Sequence, residues 1–472
     1  MRSRRAVVAL ALVGLVAGSA CAPDDPAIID PDVRLFSQLV GPEADALVDT
    51  LEPFTEATGI TVRLVSSTNL ERDLIERVQA DEPPDVALVP QPGLVDGLAS
   101  QLGALQPLPP EVLGPVRANF DQRWVDLTTV DGRVYGVYVQ ASAKSLVWYS
   151  PKVFAERGYE VPEDWEGLEA LLRAMVDREA GGVVKPWCLG VRDGDASGWV
   201  GTDWIEDLVL RPEDPDADGA ATYDAWVAGD VEFSDPAIAQ AFDDAGAMAL
   251  RSTLASPPSR RVLSTPVQEA GDGLLGSSPD CLLHRQASFS TAWLPAGTSL
   301  GPDGDVDVFP LPDRDGGPAP MVLGGQIAVA FRDRPEVWAL LAYLATPEGV
   351  AGWARHEGYL APHRDFPDDG YGSEIDRRID TMVEEASLLR FDGSDQMPVE
   401  VGVGSFWRGM EAFIGGSPSE LVRATIDATW PRDDDLLGIE DDVLDTDGAA
   451  AAEGVAPSEV DPGLGSPPAA EP

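Results

Sequence analysis

Between Val33 and Val89 the chain alternates between two apolar patterns, and that alternation restricts the fold more than any other stretch. Val33–Phe36, Ile60–Val65 and Asp85–Val89 are short apolar runs of strand length. Between them, apolar residues return at helical spacing. Leu47, Val48, Leu51 and Phe54 follow Gly41-Pro42-Glu43, and Leu70, Leu74, Ile75 and Val78 follow Asn69. Proline suits a first helical turn because its missing N–H would have no partner there, and Glu43 suits the positive end of the helix. Asn69 is placed to cap the second helix. Gly59 and Pro83-Pro84 end the two helices. Strand, helix, strand, helix, strand predicts an α/β class with a parallel sheet and right-handed crossovers.

In such sheets a ligand sits beyond the carboxyl ends of the strands. Here those ends are Ser37-Gln38, Ser66-Ser67-Thr68-Asn69 and Pro90-Gln91-Pro92-Gly93. All are small, polar and uncharged, a rim suited to a neutral, hydroxyl-rich ligand. Ser67, Asn69 and Gln91 are therefore candidate contacts.

Further along, residues 133–139, 145–149, 187–191, 287–293 and 326–331 read as strands. Residues 151–157, 164–179, 201–210, 236–251, 334–345, 349–356, 374–386 and 418–429 read as helices. No internal repeat is visible. From Pro431 onward acids, alanine, proline and glycine dominate, and an acidic disordered tail is expected over 431–472.

The N-terminus reads as an export signal. Arg2, Arg4 and Arg5 precede an apolar run from Ala6 to Ala17, which is shorter than the roughly 20 residues that span a bilayer. Gly18-Ser19-Ala20 then offers small side chains to a signal peptidase. Cys21 follows directly and resembles the lipid-modified cysteine of a bacterial lipobox, with Gly18 where that motif usually has leucine. The alternative is ordinary cleavage near Ala20, leaving a free thiol. Residues 21–32 then form the lipidated end and a tether, and the Arg4-Arg5 pair leaves both general and twin-arginine export open.

The net charge is −48, which repels nucleic acids and anionic lipid heads and argues against them as partners. Only three lysines occur, Lys144, Lys152 and Lys185. Apart from Cys21, the cysteines are Cys188 and Cys281, which in an exported chain read as one disulfide, with two buried thiols as the alternative. His284, His356 and His363 are scattered without metal-ligand spacing, and neither a phosphate-binding loop nor a serine nucleophile elbow is present. No metal and no cofactor is predicted, and the acids are too many to nominate a catalytic pair.

Several segments together carry a resemblance. They are Pro83–Val86 with Pro90–Gly93, Arg133–Val137, Lys144–Pro151, Ser197–Trp204 and Tyr343–Gly349. In this order the chain resembles the extracellular solute-binding protein family 1, the sugar receptors of ABC transporters, and among them the alpha-glucoside type, over about Val33 to Trp430. The resemblance implies a two-lobe periplasmic-binding-protein-like fold, with a hinge and a ligand cleft between lobes that close on the cargo. It divides the body into 33–143 with 288–335 and 144–287 with 336–430. It implies an ABC permease as partner, a monomeric receptor, and pairing of Cys188 with Cys281. Leu39 stands where relatives carry a tryptophan.

Within that frame Trp199 is a candidate to stack on a sugar ring, while Asp203 reads either as a hydroxyl acceptor or as a helix cap. Trp204 reads as core. Tyr149 is a ligand contact or a satisfied core tyrosine. Trp293 and Gly324-Gly325 lie where the chain returns to the first lobe, and the glycines permit close backbone approach or form a turn. The leading reading is a receptor for a neutral carbohydrate without chemistry of its own. The alternatives are a secreted carbohydrate-active enzyme and a receptor for a peptide, polyamine or polyol.

Overall fold

The computed structural model describes residues 32–431, apart from 180–183, 252–253 and 257–258. The export signal, Cys21, the tether up to residue 31 and the tail beyond Pro431 lie outside the described residues.

The opening alternation folds as its periodicity predicts. β1 (Asp32–Ser37) and β2 (Thr61–Ser66) are parallel in register, with α1 (Pro42–Thr58) between them. Gly59 closes α1 in the left-handed region, at φ 74°. α2 (Leu70–Gln79) leads to β3 (Val86–Val89), which also pairs with β1 in parallel. Every residue of β3 is buried, which explains its continuous apolar run, whereas β2 lies at the sheet edge and is largely exposed. Asn69 precedes α2 without capping it through its side chain.

β4 (Thr129–Val130) and β5 (Arg133–Val134) form a hairpin, with Asp131 and Gly132 at positive φ in the turn. β6 (Gly136–Ala143) runs almost directly into β7 (Leu146–Tyr149). β8 (Lys185–Cys188), β9 (Ala255–Ser256), β10 (Cys281–Arg285) and β11 (Asp307–Pro310) follow. β12 (Pro320–Ala330) is the longest strand, and β13 (Leu388–Phe391) is the last.

These strands form two larger sheets among the described residues. The first runs β13-β12-β3-β1-β2, with β6 on the other edge of β12. The second runs β11-β7-β10-β8-β9. One core surrounds the first sheet, with Leu35, Leu88, Val139, Ile327, Leu340 and Ile379 among its members. Another lies on one face of the second sheet, where Val147, Leu283 and Phe309 meet Trp204, Trp226 and Phe406.

Several expectations change. Residues 287–293 are not a strand, since Ser288–Trp293 is a 3-10 helix. The 349–356 helix reduces to Pro347–Val350 and a 3-10 turn at Trp353–Arg355. Gly324-Gly325 lies inside β12, not in a turn. Residues 336–391, grouped with the second lobe from sequence, place Val337, Leu341, Ile375 and Phe391 in the core of the first sheet. β11, within the stretch grouped with the first lobe, pairs with β7 in the second sheet. Long-range pairing decides both placements, and local periodicity does not encode it.

Cys188 and Cys281 are joined by a disulfide, which ties β8 to the neighbouring β10. His284 sits beside it, its Nδ1 3.1 Å from the Cys188 carbonyl oxygen. The sequence separation is 93 residues. A loop of that order constrains the unfolded chain by roughly 4–5 kcal/mol in the chain-entropy model. Replacing both cysteines by alanine is expected to lower stability by about 2–5 kcal/mol, read from the denaturant midpoint of oxidised protein.

Candidate functional site

The chain passes between the two sheets at several points, and charged side chains converge where it does. Lys144 lies between β6 and β7 and is buried. Its ammonium donates to Asp392, just after β13, and to Asp203 Oδ1 at 3.3 Å, with Asp395 at 3.9 Å. Arg285, the last residue of β10, donates to Asp203 Oδ2 at 2.8 Å and through Nε to Asp207 Oδ2 at 2.9 Å. Asp207 also accepts from Ser145 Oγ and from Arg211 Nη1, the latter at 2.9 Å. Glu206 accepts from the Ser394 backbone N–H at 3.1 Å.

Asp203, Glu206 and Asp207 lie at i, i+3 and i+4 on the Trp199–Val209 helix, so one face presents all three carboxyls to the crossings. The electrostatics follow from burial and neighbours. Burial lifts Asp203 to about 6, against the pull of Lys144 and Arg285. Glu206 is pushed well above its ordinary range by burial and by Asp392. Asp395 is raised in the same way, by burial and then Asp392. Burial also acts on Asp207 and Asp392, but Arg285 with Arg211 holds the first below its ordinary value and Lys144 holds the second. Carboxylate oxygens of Asp203, Glu206 and Asp392 lie within 4.8 Å of one another, and the Lys144 ammonium serves as their internal cation.

Next to this network stands an aromatic wall. The Trp199 ring is 6.0 Å from that of Phe289, which is 5.2 Å from that of Trp293. All three rings are half-buried. Trp199 Nε1 donates to Asp193 at 3.0 Å, and Lys144 Nζ lies 5.4 Å from the Trp199 ring centroid, within cation–π range. Phe289 also lines a cavity of about 550 Å³, together with Glu43, Gln140, Thr291, Trp353 and Arg355. Glu43 is raised to about 7 by burial, opposed by a hydrogen bond from Trp293 and assisted by the charge of Asp193. Glu71 is raised by burial and accepts from Gln91 Nε2 at 2.7 Å. Gln91 is 2% exposed, and its Oε1 has no hydrogen-bond partner. The wall meets the Glu43 carboxyl at Trp293 and the Asp193 carboxylate at Trp199, and oxygens of this kind are able to accept hydrogen bonds.

The structure brings Trp199 and Trp293 together through Phe289, and it sets Gln91 against Glu71. Asn69 belongs to the same mouth: a Cβ on Gly194 would come 3.6 Å from its Oδ1. The other sequence candidates have structural partners. Ser67 Oγ bonds Asp73 and accepts from the Asn69 backbone N–H. Tyr149 lies in the second core, against Phe154 and Phe309, and donates to Asp307 at 3.2 Å. Asp203 is fully buried between Lys144 and Arg285. A Cβ on Gly324 would meet Lys144 Cε at 2.8 Å, and one on Gly325 would meet the Gln140 carbonyl oxygen at 2.4 Å. These glycines make room for Lys144 and for the close pairing of β12 with β6. Leu39 is buried in the first core. Trp204 is core, packed edge-on against Trp187 at 5.0 Å.

Sequence reasoning missed Lys144, Glu43, Glu71 and Phe289. Lys144 had one signal, its rarity, as one of three lysines in an arginine-rich chain. Glu43 and Glu71 were indistinguishable from first-turn acids, which is where both stand.

Two sheets joined by several crossings, with half-buried rings and carboxylates beside the junction, form a two-lobe binding-protein fold. The model of the bacterial extracellular solute-binding proteins matches residues 37–351, and the chain belongs to that family. It is 41% identical over 406 residues to the osmoprotective compounds-binding protein GgtB of Synechocystis, covering 85% of this chain and 92% of GgtB. It is 37% identical over 385 residues to the alpha-glucosides-binding periplasmic protein AglE of Rhizobium meliloti, covering 80% and 82%. The fold is also that of the solute receptor AcbH, with a TM-score of 0.70 at 18% identity, covering 84% of this chain and 97% of AcbH. Maltose-bound MalE3 of T. maritima gives 0.64 at 19% identity, covering 84% and 98%. The chain is thus the substrate-binding component of an ABC importer, and membership of an extracellular family places its work outside the cytoplasm.

Lys144→Met leaves buried carboxylates without their cation and is expected to cost about 3–5 kcal/mol at pH 7, measured by chemical denaturation. Glu43 tests the cavity. Its folded value of about 7 exceeds the ordinary 4.5, so it ionises more readily in the unfolded chain. Its effect is nil below about pH 4.5, and stability is lost as pH rises through about 7. Glu43→Gln is therefore expected to raise the melting temperature relative to wild type at pH 8 and to leave it unchanged at pH 4.

Proposed function

We propose that this receptor captures a neutral, polyhydroxylated solute of the alpha-glucoside or osmoprotectant kind and delivers it to a membrane permease. The observations that carry this reading are the buried, unpartnered Oε1 of Gln91, whose amide bonds Glu71, and the ring wall of Trp199, Phe289 and Trp293. A buried acceptor without a donor is costly, and a cargo hydroxyl supplies the donor. Carboxylates accept strongly from such hydroxyls, and flat rings cover the C–H face of a sugar. A cargo with many hydroxyls and an apolar ring face satisfies both. The similarity to GgtB and AglE, named for osmoprotective compounds and alpha-glucosides, supports the same class.

The protein acts by binding alone, as a monomer whose lobes close on cargo. In this reading the first lobe comprises β1 to β6, β12, β13 and the helices between the last two. The second comprises β7 to β11 and residues 393–430. Cys21 carries the lipid that holds the mature chain at the membrane, and Cys21→Ser releases it.

The test is a thermal-shift panel of maltose, trehalose, sorbitol and spermidine on the protein lacking residues 1–21, together with nitrophenyl glucoside turnover. A saccharide at 100 times its dissociation constant adds about 2.7 kcal/mol of stability. Gln91→Ala and Glu71→Ala are expected to weaken binding by ten- to a hundredfold, about 1.5–3 kcal/mol. A shift with spermidine alone would assign the acids to a cationic cargo instead. Release of nitrophenol would make the protein an enzyme.

A further inference from the structure

Several ion pairs join the lobes, Arg378–Asp307 and Arg390–Asp224 among them, and one, Arg72–Asp195, lies beside the turn that leads to Trp199. Arg72 stands on α2, whose Leu70 and Leu74 are anchored in the core of the first sheet. Asp195 stands on the 3-10 turn Gly194–Ala196, which leads into the Trp199–Val209 helix of the second core. Arg72 Nη1 donates to Asp195. The two residues are 123 positions apart, and they stand on elements that pack into different cores. Arg72 also has partners on its own helix, Asp73 at 3.4 Å and Glu76 at 4.0 Å. With the lobes apart, it can rest on those. Both latch side chains stay about half exposed, 52% and 56%.

The surroundings give this single cation a decisive place. Glu71 stands next to Arg72 and feels both Asp193 and Asp195 from the other side. Without Arg72, closure would bring acids against acids. The approach is also close, since Asn69 lies against Gly194.

We propose that Arg72 and Asp195 form an ionic latch that sets the closed fraction of the receptor, and through it the cargo affinity, while leaving cargo contact to other residues. They are positioning residues. The proposal rests on the receptor reading only for its effect on affinity, because apparent affinity scales with the population of the binding-competent state. An exposed pair is screened by salt, so the latch weakens as ionic strength rises.

The test uses the chain from residue 22 to 472 with one dye on each lobe, read by single-molecule energy transfer without cargo. Arg72→Ala and Asp195→Ala are each expected to shift the population toward low transfer at 20 mM salt, and Arg72→Lys to stay near wild type. Wild type is expected to approach the Arg72→Ala distribution at 500 mM salt. Asp195→Ala is expected to change sign in the Arg72→Ala background, because it then removes only repulsion with Glu71. Where trehalose binds, Arg72→Ala is expected to raise its dissociation constant about fivefold at low salt. An Arg72→Ala distribution equal to wild type at 20 mM salt, or additive effects of the two alanine variants, would overturn the latch. The dye readout needs no cargo, so failure of trehalose to bind bears on the cargo assignment and leaves the latch result standing.

Discussion

The ammonium of Lys144, buried among Asp203, Asp392 and Asp395, is the contact on which the two-sheet arrangement depends. It stands where β6 leaves the first sheet and β7 enters the second. Arg285 repeats the device where β10 leaves the second sheet, and the same helix face answers both cations. Buried ions are costly to desolvate, and they persist where geometry and hydrogen bonds compensate. Here the compensation is nearly complete, with Ser145, Ser394 and Arg211 filling remaining positions. The excess of carboxyls over cations is absorbed by raised groups such as Glu206 and Asp395. A junction built this way is specific in geometry, because each charge must find its partner as the lobes assemble.

That junction also places the site. Trp199 begins the helix that carries Asp203, Glu206 and Asp207, so anchoring the helix orients the ring toward Phe289 and Trp293. Lys144 lies near the Trp199 ring as well as in the network, linking the crossings to the wall. Gly324 is required by the bulk of the Lys144 side chain. The rings of the wall are thus held by residues that lie behind them in the network. This is the arrangement expected of a binding site whose precision comes from rigid support.

Some of this was legible in the residues. The first three strands and two helices were, because period 3.6 and short apolar runs are local signals. Trp199, Trp293, Asn69 and Gln91 were nominated from residue chemistry and strand-end position, and of these Trp199 and Trp293 share the ring wall. Tyr149, Ser67, Asp203 and the glycine pair were nominated on equally local grounds, Tyr149, Asp203 and the glycines with a structural role as the alternative, and the structure gives each a protein neighbour. Tyr149 finds Asp307, 158 residues on. Asp203 finds Arg285, 82 residues on. β10 went unread because its apolar run, Cys281-Leu282-Leu283, is only three residues long before His284 and Arg285, and only the network explains why an arginine is buried there.

By itself the sequence determined the α/β class, the acidic character and the family resemblance, and it left the two later cysteines as a disulfide or two buried thiols. These follow from local spacing, composition and motif order, which need no knowledge of distant neighbours. Only the tertiary structure decided that residues 336–391 return to the first sheet, that Lys144 bridges the crossings, that Glu43 and Phe289 join the wall, and that Glu71 meets Gln91. The reason is physical. Whether a carboxylate caps a helix, neutralises a lysine or meets a solute depends on which charge lies within a few ångströms, and folding brings that charge from far along the chain.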